Sequence, residues 1–176
     1  MRKSIPTAAT LALFATLAAL FLSACVLTMP DPLLKQRNLA QGVIPDLTGK
    51  WKEDKGNTVT ITRGPSNNTF RANNVSNENE LLVTFERLDE SHYMMQVAPQ
   101  ESKGVFLTIA ELTPTRINIY TYPKSLDAIR KIAAKNGVTV TEAGLITGYE
   151  KSDGMVELFR ALSLMREAEY LVLTKQ

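Results

Sequence analysis

Between Leu47 and Tyr122, apolar and polar residues alternate in short runs that are separated by turn residues. Alternation with a period of two is typical of antiparallel strands that bury one face. Seven such runs predict strands at 47–53, 58–63, 69–75, 80–88, 92–97, 104–112 and 116–122. This part of the chain is therefore expected to form one antiparallel sheet.

The hydrophobic period lengthens to that of a helix after Pro123. Ser125 is a candidate N-cap, a buried stripe follows it, and Asn136-Gly137 is a typical stop. A second helix is expected to be capped by Ser152 or Asp153, and its apolar face comprises Met155, Leu158, Phe159, Leu162 and Met165. Residues 138–149 are either two short strands or an irregular loop, and 169–174 predict a last strand.

Many antiparallel strands with helices gathered in the C-terminal half are typical of a mainly β (α+β) fold. The sheet is expected to be a closed barrel or a strongly curved meander, and up-and-down order is its simplest topology. Gly49-Lys50-Trp51 resembles the Gly-x-Trp sequence that opens the calycin barrels, which include the lipocalins. The resemblance implies a lipocalin-like barrel in which Trp51 seals the closed end.

The chain departs from the lipocalin pattern in two places. The later Thr-Asp pair is missing, since Tyr120-Thr121-Tyr122 supplies aromatic residues without the Asp, and two helices precede the last strand. Residues 46–176 are more similar to small uncharacterised bacterial lipoproteins that open with Leu-Thr-Gly-x-Trp. That similarity implies a fold and brings no activity with it.

The N-terminus has the layout of a bacterial export signal. Arg2 and Lys3 precede an apolar stretch at 11–22, and Leu22-Ser23-Ala24-Cys25 resembles the lipobox of bacterial lipoproteins. The alternative, a transmembrane helix, lacks a basic flank after the apolar stretch. The resemblance implies cleavage before Cys25 and a covalent lipid on its sulfur.

Three regions follow from this division. Residues 1–24 are predicted to be a cleaved signal peptide, 25–45 a lipidated tether, and 46–176 a single β-rich domain. The tether region carries three prolines and no clear period, and a short helix at 33–40 is not expected to pack. Val26 is not the aspartate that commonly signals inner-membrane retention, so a Gram-negative host would place the protein in the outer membrane, facing the periplasm.

The charge of the mature chain argues against nucleic acid as a partner. Removal of Arg2 and Lys3 lowers the 20 basic residues to eighteen, which balance the 18 acidic ones. No cluster of like charges suggests a polybasic membrane patch. Membrane attachment is therefore expected to come from the lipid.

Residue counts exclude most catalytic sites. Cys25 is the only cysteine and His92 the only histidine, so the folded domain has no thiolate site and no multi-histidine metal site. No Gly-x-Ser-x-Gly motif is present. A carboxylate pair of the glycosidase type leaves no sequence motif and stays open as the enzymatic alternative. The chain is expected to be no enzyme and to hold no cofactor beyond the lipid.

Tyr93, Met95, Tyr120 and Tyr122 are the candidate ligand-binding residues, because aromatic and methionine side chains on strand faces suit a small apolar cavity. The alternative is that these side chains simply fill the core. The first case makes the protein a binder of a small apolar ligand. The second favours an accessory subunit that docks on another envelope protein through a helix face or sheet edge.

Overall fold

The structure is a computed structural model that describes residues 27–54, 56–74, 80–99, 104–120, 122, 125–165 and 169–176. It contains a closed eight-stranded antiparallel β-barrel and two helices in the C-terminal half. The predicted fold class is confirmed. Cys25 and the rest of the predicted signal lie outside the described residues.

The elements follow the sequence pattern closely. The strands are β1 (Leu27–Met29), β2 (Gly49–Glu53), β3 (Thr58–Arg63), β4 (Thr69–Asn74), β5 (Glu80–Arg87), β6 (His92–Pro99), β7 (Val105–Leu112), β8 (Arg116–Tyr120), β9 (Val138–Val140), β10 (Ile146–Tyr149) and β11 (Glu169–Lys175). The helices are α1 (Leu126–Lys135) and α2 (Ser152–Leu164). Strands β2 to β8 are the seven predicted runs, and their ends differ from the prediction by at most two residues.

The barrel is a meander that its last strand closes. Strands β2 to β8 pair in sequence order, and β11 then pairs with β8 on one side and with β2 on the other. Every pairing in the barrel is antiparallel. The topology is therefore up-and-down, with both helices inserted before the closing strand.

A second layer packs on the outside of the barrel. It consists of α1, α2 and the hairpin of β9 and β10, and it buries the outward-facing Met94, Leu107 and Ile109 against helix residues such as Ile129 and Phe159. Residues 138–149 are thus a hairpin, the first of the two alternatives left open by the sequence. The alternation along β6 explains the two layers, since Met95 belongs to the interior and Met94 to this outer layer.

The two helices begin differently. Ser125 caps α1 as predicted, because its side chain accepts a hydrogen bond from the backbone N of Ala128 at 3.3 Å. The N-cap position of α2 is Lys151, whose side chain makes no capping bond, so the predicted cap at Ser152 or Asp153 is wrong. Tertiary packing positions this helix instead, since a Cβ on Gly154 would meet the carbonyl oxygen of Asn136 at 2.2 Å.

Residues 27–45, called here the N-terminal segment, pack on the barrel. Leu27, Met29 and Leu34 are buried in the outer cluster, and Ile44 is buried in the interior cluster. The expectation of a tether outside the core does not describe these residues, and no helix forms at 33–40. The segment has no apolar period of its own because its residues are buried one by one along an irregular path.

Side-chain amides of the barrel hold this path in place. The Oε1 of Gln96 accepts hydrogen bonds from the backbone N of Leu33 at 2.7 Å and of Leu34 at 2.9 Å. Asn68 is fully buried; it accepts from the backbone N of Arg37 at 2.9 Å and donates to the carbonyl of Lys35 at 3.1 Å. These bonds supply the backbone partners that a buried segment without secondary structure needs.

Replacing Asn68 with alanine is expected to lower the free energy of unfolding by about 2 kcal/mol, because it leaves buried backbone groups without partners. Urea unfolding followed by circular dichroism measures the change. Asn57→Ala is the matched control, since Asn57 is exposed and its side chain donates to Glu53; its effect should stay within about 0.5 kcal/mol. Equal effects of the two variants would contradict a supporting role for Asn68.

Candidate functional site

One end of the barrel is filled by its own side chains. Trp51 is 0% exposed, and its indole Nε1 donates to the carbonyl of Leu47 at 2.7 Å. Phe85 packs edge-on between Phe70 and Tyr93, at centroid distances of 5.9 Å and 6.3 Å. This end of the interior is therefore a close-packed aromatic cluster.

Residues outside the interior cover the same end. The hydroxyl of Tyr93 donates to the carbonyl of Val43 in the N-terminal segment at 2.6 Å. The ammonium of Lys175 lies 5.7 Å from the centre of the Trp51 ring, within cation–π range. Together these contacts close the end at which β2 begins.

The interior toward the opposite end holds a cavity of about 180 Å³. All eight barrel strands contribute to its lining. Many of the lining side chains are apolar and only half-buried, among them Val59, Ala72, Leu81, Phe106, Ile119 and Leu171. Inward-facing apolar residues that keep part of their surface accessible indicate that the cavity opens to solvent at this end.

The cavity suits a small or slender apolar molecule. Its volume of about 180 Å³ is close to the roughly 150 Å³ of an engineered cavity that binds benzene, and below the roughly 300–1,000 Å³ of pockets for drug-sized ligands. Among its polar lining groups, Thr108 already donates its hydroxyl to the carbonyl of Tyr120 at 3.0 Å. Shape and apolar contact, more than hydrogen bonding, would therefore select an occupant.

Two tyrosines that border the cavity, Tyr122 and Tyr170, are neutral at ordinary pH. Burial raises the pKa of Tyr122 well above its ordinary value, although a hydrogen bond with Thr108 opposes the shift. Burial also raises the pKa of Tyr170, which borders the cavity at the register shift in β11. Among the described lining residues, Glu53 is the one with a carboxyl group. The side-chain amide of Asn57 donates a hydrogen bond to this carboxylate at 2.6 Å.

The four candidate residues occupy different places. Met95 lines the cavity, whereas Tyr93 lies in the filled end and is not part of the lining. Tyr120 and Tyr122 border the cavity but belong to the outer cluster. Their hydroxyls donate to the Glu111 carboxylate at 2.6 Å and to the carbonyl of Leu107 at 2.8 Å. The structure therefore gathers three of the four at the cavity, of which only Met95 belongs to the interior cluster.

Most of the lining was not among the sequence-based candidates. Val59, Ala72, Leu81, Val97 and Phe106 are inward-facing lining residues, one on each strand from β3 to β7. Strand alternation was the available signal, because the inward positions of neighbouring strands can be matched once the pairing is known. Choosing candidates by residue type instead led to the outward-facing Tyr120.

The neighbourhood of the single histidine is not a catalytic triad. Nδ1 of His92 lies 2.8 Å from Oδ1 of Asp89, and the hydroxyl of Ser91 lies 3.4 Å from the same nitrogen. A triad needs the acid and the nucleophile on opposite ring nitrogens. Nε2 is instead buried, and the centre of the ring lies 6.4 Å from that of the Tyr120 ring, with the two planes tilted by 47°. This arrangement ties the β5–β6 turn together.

In the described part of the chain, no group of three or more His, Cys, Asp or Glu side chains is placed to bind a metal ion. Within the same residues, no helix has the length and apolar character needed to cross a membrane. A comparison of the chain with protein-family models, curated proteins and solved structures finds no match.

Proposed function

We propose that this chain is a lipid-anchored envelope protein, without enzymatic activity, whose barrel binds a small or slender apolar ligand. The cavity of about 180 Å³, lined by side chains of all eight barrel strands, most of them apolar, is the observation that carries the binding role. The Leu22-Ser23-Ala24-Cys25 sequence after an apolar stretch supports lipid attachment at Cys25. In a Gram-negative host the protein would lie in the outer membrane and face the periplasm.

Binding explains the cavity better than imperfect packing does. Protein interiors are normally close-packed, and the other end of this barrel is packed in that way. An apolar volume of this size left without packing partners would forgo on the order of 4 kcal/mol of stability, at roughly 24 cal/mol per Å³. A ligand that fills the cavity would recover part of this free energy.

Ala72→Phe tests the proposal by placing a large side chain at a small position of the lining. Calorimetric titration with 1-decanol is the measurement, and the protein is the chain from residue 25 with Cys25→Ser, which retains every described residue. The parent chain is expected to bind the alcohol, and Ala72→Phe to weaken binding at least tenfold, about 1.4 kcal/mol. Decanol is chosen because its single alkyl chain matches the narrow cavity.

Thr62→Phe is the matched control, because Thr62 is exposed on the outward face of β3. It should bind decanol as the parent does. Absence of binding by the parent, or equal binding by all three proteins, would contradict the carrier function. The accessory-subunit alternative would then be favoured, and Leu164, which is 81% exposed at the end of α2, would be the first residue to examine.

A further inference from the structure

The first described residues are fixed to the barrel wall. In β1, Leu27 pairs with Leu107 and Met29 pairs with Val105 of β7. The side chains of Leu27 and Met29 are only 1% and 7% exposed. The chain is therefore attached to the side of the barrel from residue 27 onward.

Cys25 precedes this attached strand by two residues. Because an extended chain spans at most about 3.6 Å per residue, the Cα of Cys25 lies within about 7 Å of the Cα of Leu27. A free tether that reached residue 45 would instead span up to about 70 Å. A lipid on Cys25 thus leaves almost no distance between the bilayer and the barrel wall beside β7.

The hairpin of β9 and β10 flanks β1 at this point. The backbone N of Thr28 donates to the carbonyl of Gly144 at 3.2 Å, and Thr28 forms a bridge with Leu145. Leu145 is 37% exposed and Tyr149, on β10, is 43% exposed. Tyrosine is enriched at membrane interfaces because its ring is apolar and its hydroxyl is polar.

We infer that the face formed by β1 and the β9–β10 hairpin lies against the bilayer surface, with Leu145 and Tyr149 at the interface. The inference rests on the proposed lipid at Cys25. Strand β3 stands four places from β7 in the eight-strand order, so it faces away from the membrane. Basic and acidic side chains are mixed near the hairpin, since Nη1 of Arg130 lies 3.7 Å from Oδ1 of Asp127 and 4.0 Å from Oε1 of Glu142. The contact therefore does not depend on anionic lipid.

Single labels on opposite walls test this orientation. Cys25 is the only cysteine and carries the lipid in this proposal, so an introduced cysteine is the only free thiol. Ala143→Cys and Leu145→Cys place a fluorophore beside β1, and Thr62→Cys places it on β3. The full chain is expressed with its lipid, labelled, and reconstituted in phosphatidylcholine vesicles that contain a lipid with a headgroup spin-label quencher. Mass spectrometry records the lipid on each protein.

The labels at positions 143 and 145 should be quenched at least twofold more than the label at position 62. Ala143 is exposed in the hairpin turn, so this variant keeps the test valid if Leu145→Cys disturbs the fold. Adding phosphatidylglycerol to the vesicles should leave this ratio of quenching between the two walls unchanged. Equal quenching at all three sites in a lipidated protein would overturn the orientation and leave the anchor intact. Absence of lipid from Cys25 would overturn both the anchor and the orientation.

Discussion

Replacing Trp51 with alanine should lower the free energy of unfolding by about 3 to 5 kcal/mol, the usual range for a buried large aromatic residue. Trp51 is fully buried, and its indole hydrogen bond to Leu47 is lost with the ring. The cavity left behind would adjoin the packed rings of the closed end, which have little room to collapse. Urea unfolding followed by far-ultraviolet circular dichroism measures the difference.

Trp51→Phe is the control for this prediction, because it keeps an aromatic ring and should cost less than Trp51→Ala. Trp51 is the only tryptophan, so the emission of the wild-type protein reports its environment directly. Burial predicts a blue-shifted emission maximum. A red maximum, or a change within about 0.5 kcal/mol for Trp51→Ala, as for a surface substitution, would show that this residue does not seal the barrel.

A chain that begins at residue 45 should be less stable than one that begins at residue 27 by at least about 4 kcal/mol. The truncation removes the buried side chains of Leu27, Met29, Leu34 and Ile44, each worth about 1.5 to 3 kcal/mol before the cost of ordering the segment. It also exposes or leaves unpaired the amide groups of Asn68 and Gln96, which bond to that segment. Parallel urea titrations of the two chains measure the difference.

This prediction differs from the division expected from sequence, in which 25–45 is a tether and 46–176 is the single β-rich domain. The free energy of unfolding of a typical domain is only about 5 to 15 kcal/mol, so a loss of this size removes a large part of it. A chain from residue 35 keeps Ile44 and the hydrogen bond from Asn68 to the carbonyl of Lys35. Its free energy of unfolding should therefore lie between those of the other two chains. Equal midpoints for the chains from residues 27 and 45 would restore the description of the segment as a simple tether.

Strands were predictable because their signal is local. Along β6, the alternation of Tyr93, Met95 and Val97 with Met94 and Gln96 identifies two faces without knowledge of any partner strand. The Ser125 cap was predictable for the same reason, since the groups it joins are three residues apart. The apolar face of α2 was local too, but its first residue had no such signal, because the start of the helix depends on the approach of Gly154 to Asn136.

The N-terminal segment and the cavity depended on long-range geometry. The hydrogen bond between Leu33 and Gln96 joins residues 63 positions apart, and nothing near Leu33 in the sequence indicates it. The cavity depends on which end of the barrel is filled, and that follows from Trp51, Phe85 and Tyr93 meeting across several strands. Tyr120 was chosen for its residue type, although its strand turns Ile117 and Ile119 inward.

The way β11 closes the barrel has a consequence for the order of folding. Trp51 pairs with Lys175, 124 positions away, whereas it pairs with Val59 across only eight. From an unstructured chain, closing the longer loop costs about 2 kcal/mol more in entropy. The hairpins of the meander therefore form first, and the edges of β2 and β8 stay unpaired until the residues after α2 arrive. Until then these edges are open templates for pairing with another chain, so the nascent barrel is most prone to aggregate just before its last strand docks.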